Sequence, residues 1–265
     1  TSYFSSASAN YVLTYSVTFS QIGIPSGTTW GVTVGGTRYT STSSSIIVSG
    51  LTGTVSYSYD SYVSGTSGTR YACSTGCSGS VSSSTTVTAN YVTQYQLTMA
   101  VNPAGSGTTS PAVGSYWYNS GSTVTISATA NAGYQFSSWS GSGTGSYTGT
   151  ANPTTITMNS PITETANFIG CTRSNPSVSI SPSSQSTSTA GTTLSYTVYV
   201  TNNDNSACGS STFSLSVTSC PAGWTCSLFS SSLSISPGST SSTTISVTSP
   251  SSASTGTYTF TVRAT

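Results

Sequence analysis

The chain has 265 residues, only 3% of them charged, and a formal net charge of +1; a quarter is the usual charged share. The charged side chains are Arg38, Arg70, Arg173, Arg263, Asp60, Glu164 and Asp204, with no Lys and no His. This nearly excludes acid–base catalysis through a His or Lys base, multi-carboxylate metal chemistry and nucleic-acid binding.

Hydroxyl residues stand where charge normally would: 64 Ser and 51 Thr. Disorder normally also needs high net charge and few aromatics, whereas this chain has 17 Tyr, 7 Phe and 4 Trp. Thr, Val, Tyr and Ile favour a pleated, half-buried surface. The composition therefore reads as all-β, with hydroxyls on the wet faces. No 18-residue apolar run exists, so no membrane-spanning helix is expected. The chain opens on Thr1 without a charged n-region or an apolar h-region, and the expectation is that a secretion signal has been removed. Six cysteines are present: Cys73, Cys77, Cys171, Cys208, Cys220 and Cys226. An even number in such a chain points to disulfides and an oxidising compartment. Zinc is the competing reading, on the loose spacings Cys73…Cys77 and Cys220…Cys226, but no His is available.

In chain order, residues 1–11 end in Ser8-Ala9-Asn10-Tyr11, a match to Thr88-Ala89-Asn90-Tyr91. The motif returns as Ala166-Asn167-Phe168-Ile169. Each copy joins the last strand of one unit to the first strand of the next, which marks a modular array. The expected organisation is an N-terminal orphan strand at 1–11, small β-repeat domains at 12–92 and 93–170, and an immunoglobulin-like sandwich at 171–265. In the first repeat, Trp30–Val34 and Thr37–Thr42 flank Gly35-Gly36, a hairpin with a type I′ turn. Val55, Tyr57 and Tyr59 alternate with Ser, the period of a strand with one buried face. Cys73 and Cys77 sit to staple the loop before a closing strand over Val81–Tyr91.

The second repeat is expected to hold strands at Gln94–Val101, Thr123–Ala130, Tyr134–Trp139, Thr154–Met158 and Ile162–Phe168. Its Gly105-Ser106-Gly107-Thr108, Val124-Thr125-Ile126, Ala132-Gly133-Tyr134, Trp139-Ser140-Gly141 and Thr165-Ala166-Asn167-Phe168 resemble the divergent internalin-type B-repeat of secreted and surface proteins. The first repeat resembles it mainly at the strand ends. Its stretch from Val17-Thr18-Phe19 to Trp30 is similar to repeats of secreted archaeal proteins, including regions beside thermopsin-type proteases. No protease part is present.

The third module alternates in Leu194-Ser195-Tyr196-Thr197-Val198-Tyr199-Val200, continues through Phe213, Leu215 and Val217, then Ile245 and Val247, and closes with Tyr258, Phe260 and Val262. Short strands at this spacing fit an immunoglobulin-like sandwich. Asn175-Pro176, Thr201-Asn202-Asn203-Asp204, Pro221-Ala222-Gly223-Trp224, Pro237-Gly238 and Gly256-Thr257-Tyr258 resemble sandwich modules appended to secreted bacterial glycosidases and peptidases. That resemblance implies a Cys171–Cys208 bond, with Cys220–Cys226 left as a local staple. It supplies no catalytic residue.

Candidate chemistry is sparse. A Ser-His-Asp triad lacks its base. The three carboxylates fall in different modules, against a glycosidase pair. Asp204, within Asn202-Asn203-Asp204-Asn205, reads as an Asx-type turn, with weak Ca²⁺ ligation as the alternative. Gly141–Gly145 precedes no helix and no Lys, so it reads as a loop and not a phosphate cradle. Trp139 and Trp224 read as core. Tyr116, Trp117 and Tyr118 are candidate ligand-stacking residues, because three consecutive aromatics on a strand cannot all face inward. The twelve Asn include no N-glycan acceptor, since Pro blocks Asn152 and Asn175; the Ser/Thr surface remains a candidate for O-linked sugars. No cofactor and no metal are expected.

The functional expectation is a non-enzymatic structural subunit of an extracellular filament or cell-surface assembly. Its partner is a second copy of itself, added head to tail through residues 1–11, with Tyr3, Phe4, Tyr11 and Val12 filling the acceptor; glycans are a second partner class. The alternative is a non-catalytic adhesion, carbohydrate-binding or spacer module of a larger secreted enzyme or adhesin. With three carboxylates, stability nearly flat in acid is also expected.

Overall fold

The computed structural model describes residues 2–265, which hold strands and no helix. No helix is thus long and apolar enough to cross a membrane. The chain forms two compact units. One comprises residues up to Ala100 with Thr109–Ala128 and Ser138–Ala166; the other comprises Val101–Thr108, Thr129–Ser137 and Asn167–Thr265.

The first part of the first unit packs two sheets around one apolar layer. Strand Tyr15–Ile22 pairs antiparallel with Ser45–Leu51, Phe19 opposite Ile46, and parallel with the start of Thr85–Asn102, Phe19 opposite Val87. The facing sheet runs Thr37–Ser41, Trp30–Val34, Val55–Tyr59, Ser78–Val81. Gly35 and Gly36 have φ of 55° and 86° between the second and first of these, the positive values a type I′ hairpin needs. Alternation decides which residues meet. Val17, Phe19, Trp30 and Val32 are fully buried, and the Tyr59 ring stacks on Trp30 at 5.8 Å while Phe19 meets Tyr57 edge-on at 5.4 Å. Polar tips of these aromatics are satisfied inside: Trp30 Nε1 donates to Ser43 O at 2.6 Å, and Tyr59 Oη to Val87 O at 2.8 Å. Cys73 and Cys77 are bonded.

Strand Thr85–Asn102 is 18 residues long, about three times an ordinary strand. It lies beside Tyr15–Ile22 over Thr85–Asn90, beside Thr69–Thr75 over Asn90–Tyr95, and beside Gly114–Asn119 over Gln94–Met99. No turn interrupts it at Val92 and Thr93, where the sequence places the expected boundary between the two repeats. Leu97, Met99, Val124, Ile126, Trp139, Ile156, Met158 and Ile162 are buried in the later part of the first unit. They alternate with exposed hydroxyls along Thr123–Ala130 and Thr154–Thr157, which pair with Val124 opposite Ile156.

The second unit is dominated by a sandwich. One sheet orders Ser177–Ser181, Thr193–Thr201, Thr240–Thr248, Thr225–Leu228, and the other Ser232–Ile235, Ser211–Ser219, Thr261–Ala264. Val198, Val200, Leu215, Ile235, Ile245 and Val247 form its core. The closing strand is shorter than the sequence pattern suggests. Tyr258 and Phe260 precede it, and only Thr261–Ala264 pairs with Ser211–Ser219. Alternation supplies the apolar faces of residues 257–260, but a strand also needs a backbone hydrogen-bonded beside it, and among the described residues none is bonded to them. Cys171–Cys208 and Cys220–Cys226 are bonded, and no described cysteine is free.

Candidate functional site

Ser2–Thr14 belongs to no strand, and every residue of it is exposed. Tyr3 is 94%, Phe4 98%, Tyr11 91% and Leu13 91% exposed, with Val12 at 70%. The regular ladder starts at Tyr15, whose hydroxyl donates to Gly53 O and Val81 O.

Tyr116, Trp117 and Tyr118 lie on strand Gly114–Asn119, opposite Leu97, Gln96 and Tyr95. Tyr116 and Tyr118 therefore share the side of buried Leu97, and Trp117 takes the other. Burial, then the neighbouring Tyr116, raises the Tyr118 phenol above its ordinary pKa. Trp117 is capped by Arg70, whose guanidinium carbon lies 4.5 Å from the indole centroid and 5.3 Å from that of Tyr62. Arg70 Nε donates to Gln94 Oε1 at 2.7 Å, and Gln94 Nε2 to Asn119 Oδ1 at 2.9 Å. Arg70, from strand Thr69–Thr75, thus occupies an indole face on strand Gly114–Asn119.

Each carboxylate has local protein partners. Asp60 accepts from Arg38 Nη2 at 2.7 Å. Asp204 Oδ2 accepts from Arg173 Nη1 at 2.8 Å and Ser211 Oγ at 2.7 Å, and its Oδ1 from the Ser174 N–H at 2.8 Å. These bonds, the Ser211 one foremost, hold Asp204 below the ordinary carboxylate range. Its own N–H donates to Asn202 Oδ1 at 2.9 Å, an Asx-type turn. Glu164 is fully buried; its Oε1 accepts from the Tyr147 N–H at 2.6 Å, and Oε2 has no hydrogen-bond partner among the described residues. Burial pushes its pKa up, against the opposing pull of the Tyr147 bond. No group of three or more His, Cys, Asp or Glu able to hold a metal occurs among the described residues.

The sandwich holds a cleft of about 930 Å³ that sequence reasoning did not single out. Leu194, Tyr196, Trp224, Val247 and Phe260 line it, with Ser and Thr around them. The alternation in Thr257–Val262 signals these inward faces, but not that the flanking backbone is left unpaired.

This architecture is an all-β chain of several small sheets, and two stretches of it match known family models. Residues 97–170 match the family model described as the divergent InlB B-repeat domain, and residues 188–265 match that of the NPCBM-associated NEW3 domain of alpha-galactosidase. No curated protein matches. Among solved structures, the chain is similar to the major pilin protein T-13 of Streptococcus pyogenes at 9% identity, covering 58% of this chain and 96% of that one with a TM-score of 0.21.

Proposed function

We propose that this chain is a structural subunit of an extracellular filament or cell-surface assembly, organised as modules at 12–92, 93–170 and 171–265, and polymerising by β-strand donation from its N-terminal segment. One observation carries this reading. Ser2–Thr14 has no strand partner and exposes two apolar clusters, Tyr3-Phe4 and Tyr11-Val12-Leu13, and exposed large apolar side chains grouped in this way mark interaction sites. An extended segment also offers its whole backbone to a sheet edge. Head-to-tail addition is heterologous, so growth gives an open fibre. The three disulfides fit an extracellular, oxidising setting. No catalytic role is assigned. The decisive experiment is electron microscopy of the intact chain and of the chain lacking residues 1–11. Filaments from the first and none from the second are expected; filaments from both, or a monomeric intact chain at high concentration, overturn it.

The match of residues 188–265 to a domain of alpha-galactosidase favours a second reading. In it, the chain is a non-catalytic adhesion, carbohydrate-binding or spacer module of a larger secreted enzyme or adhesin. A monomeric intact chain that binds a polysaccharide would support that reading instead. In either setting exposed hydroxyls, such as those of Thr240, Ser242 and Thr244, are acceptors for O-linked sugars, which intact-mass measurement of native material reads directly.

A further inference from the structure

We infer that the cleft of the C-terminal sandwich is the acceptor for residues 2–14 of a second copy of this chain. The inference rests on the strand-donation reading and names the surface which that reading leaves open.

The cleft has the two things an incoming strand needs. Its floor is apolar: Tyr196 and Val247 are buried, Leu194, Trp224 and Phe260 are half-buried, and Phe260 meets the Tyr196 ring at 5.0 Å. Its walls offer backbone that lies outside any strand, with the Thr189 N–H and C=O alone among the described residues taken by neighbouring hydroxyls, those of Thr187 and Thr192. Residues 183–190 and 255–260 flank it and lie in no strand, and among the described residues no backbone hydrogen bond joins either stretch to a neighbouring strand. Yet Thr257-Tyr258-Thr259-Phe260-Thr261-Val262 alternates without a break into strand Thr261–Ala264. The stretch carries the pattern of a strand and lacks only a partner. Backbone N–H and C=O groups in such a position are a template for pairing with another chain.

The donor segment is complementary. In extended backbone Tyr3, Ser5, Ala7, Ala9, Tyr11 and Leu13 point to one side, and Phe4, Ser6, Ser8, Asn10 and Val12 to the other. The odd-numbered side is apolar except for Ser5, with Tyr and Leu at its ends and alanines between. Two aromatics bury about 150–250 Å² each; with Leu13, both alanines and the strand backbone, the donor's share approaches the about 800 Å² per partner of a standard interface. None of the seven charged residues lies in 2–14 or lines the cleft, so the joint requires no ion pair and tolerates salt. A saccharide stacked on Trp224 is the rival occupant. It accounts for the aromatic floor but leaves the backbone of residues 257–260 without a partner.

The experiment uses the full chain with its own donor disabled by Tyr11→Arg and Leu13→Asp, both at exposed positions, mixed with a synthetic peptide of residues 2–14. Hydrogen–deuterium exchange locates the peptide. Expected are protection of residues 183–190 and 255–260, a change in tryptophan fluorescence, and at least tenfold weaker binding of a peptide carrying the same two substitutions. Protection at another edge, such as Ser45–Leu51, overturns the cleft assignment and leaves strand donation standing. No peptide binding, or polymerisation of the donor-disabled chain, overturns both. Protection of the cleft by a soluble glucan and not by the peptide makes it a sugar site and overturns the assignment.

Discussion

The Arg70 guanidinium lies 4.5 Å from the centre of the Trp117 indole, joining strand Thr69–Thr75 to strand Gly114–Asn119. Both side chains sit on the outer face of the long strand Thr85–Asn102, where Gln94 anchors the guanidinium. A cation over an aromatic face at a part-exposed site contributes about 0.5–1 kcal/mol. Arg70→Met, which keeps the stem and removes the charge, is expected to cost about 1 kcal/mol in urea denaturation. A double-mutant cycle with Trp117→Leu should return a coupling of about 0.5–1 kcal/mol; a coupling indistinguishable from zero would assign Trp117 a packing role only.

Glu164 and Asp204 make stability depend on pH in opposite senses. The folded pKa of Glu164 is raised by burial, so the native state holds its proton more tightly than the unfolded chain. Its contribution is fully present below the unfolded value of about 4.3 and is lost as pH rises through the raised folded value. Asp204 is lowered by Ser211, Ser174 and Arg173. Its contribution is present above about pH 4 and lost as pH falls through the lowered value. A shallow stability maximum near about pH 4 follows, in place of a flat acid profile. Melting temperatures across pH for the native chain, Glu164→Gln and Asp204→Asn test this. Glu164→Gln should flatten the limb above the maximum, and Asp204→Asn the limb below it.

Gly145 cannot be replaced without moving the backbone. Its φ is 96°, and a Cβ there would stand 1.9 Å from Thr157 O, while Gly145 O accepts the Thr157 N–H at 3.0 Å. Gly145→Ala is expected to cost more than about 1 kcal/mol. Gly121→Ala is the control, with φ of 78° but open space at its Cβ; it should cost less. Equal losses for both would show that dihedral strain and not the close approach sets the penalty.

The disulfides should differ in worth with the loop each closes. Cys171–Cys208 spans a separation of 37 residues and Cys73–Cys77 only 4. Loop-closure entropy gives about 4 kcal/mol for the first and about 2 kcal/mol for the second. Paired Cys→Ser variants, compared by denaturation under non-reducing conditions, check the order.

The elements legible in the sequence were those that carry their own punctuation. The Gly35-Gly36 hairpin and strand Thr123–Ala130 stand where alternation and turn residues put them. The long strand Thr85–Asn102 was less legible. Two alternating stretches meet at Val92 and Thr93 with nothing to show that the backbone runs on unbroken. Of the candidate site residues, the exposure of Tyr3, Phe4, Tyr11 and Val12 concerns a segment that local pattern singles out. The capping of Trp117 depends on Arg70, distant in sequence, which no local pattern connects to it.

By itself the sequence determined the class of protein. Seven charged residues, dense Ser and Thr, and period-2 apolar patterning leave an all-β chain with hydroxyl-covered faces, because alternation and side-chain chemistry are local properties. Tertiary structure alone decided which strand edges are filled. Ser2–Thr14 and residues 257–260 both lie unpaired, although the second stretch alternates as strands do. Pairing requires a second backbone about 4.8 Å away, and where that backbone lies is a property of the whole fold.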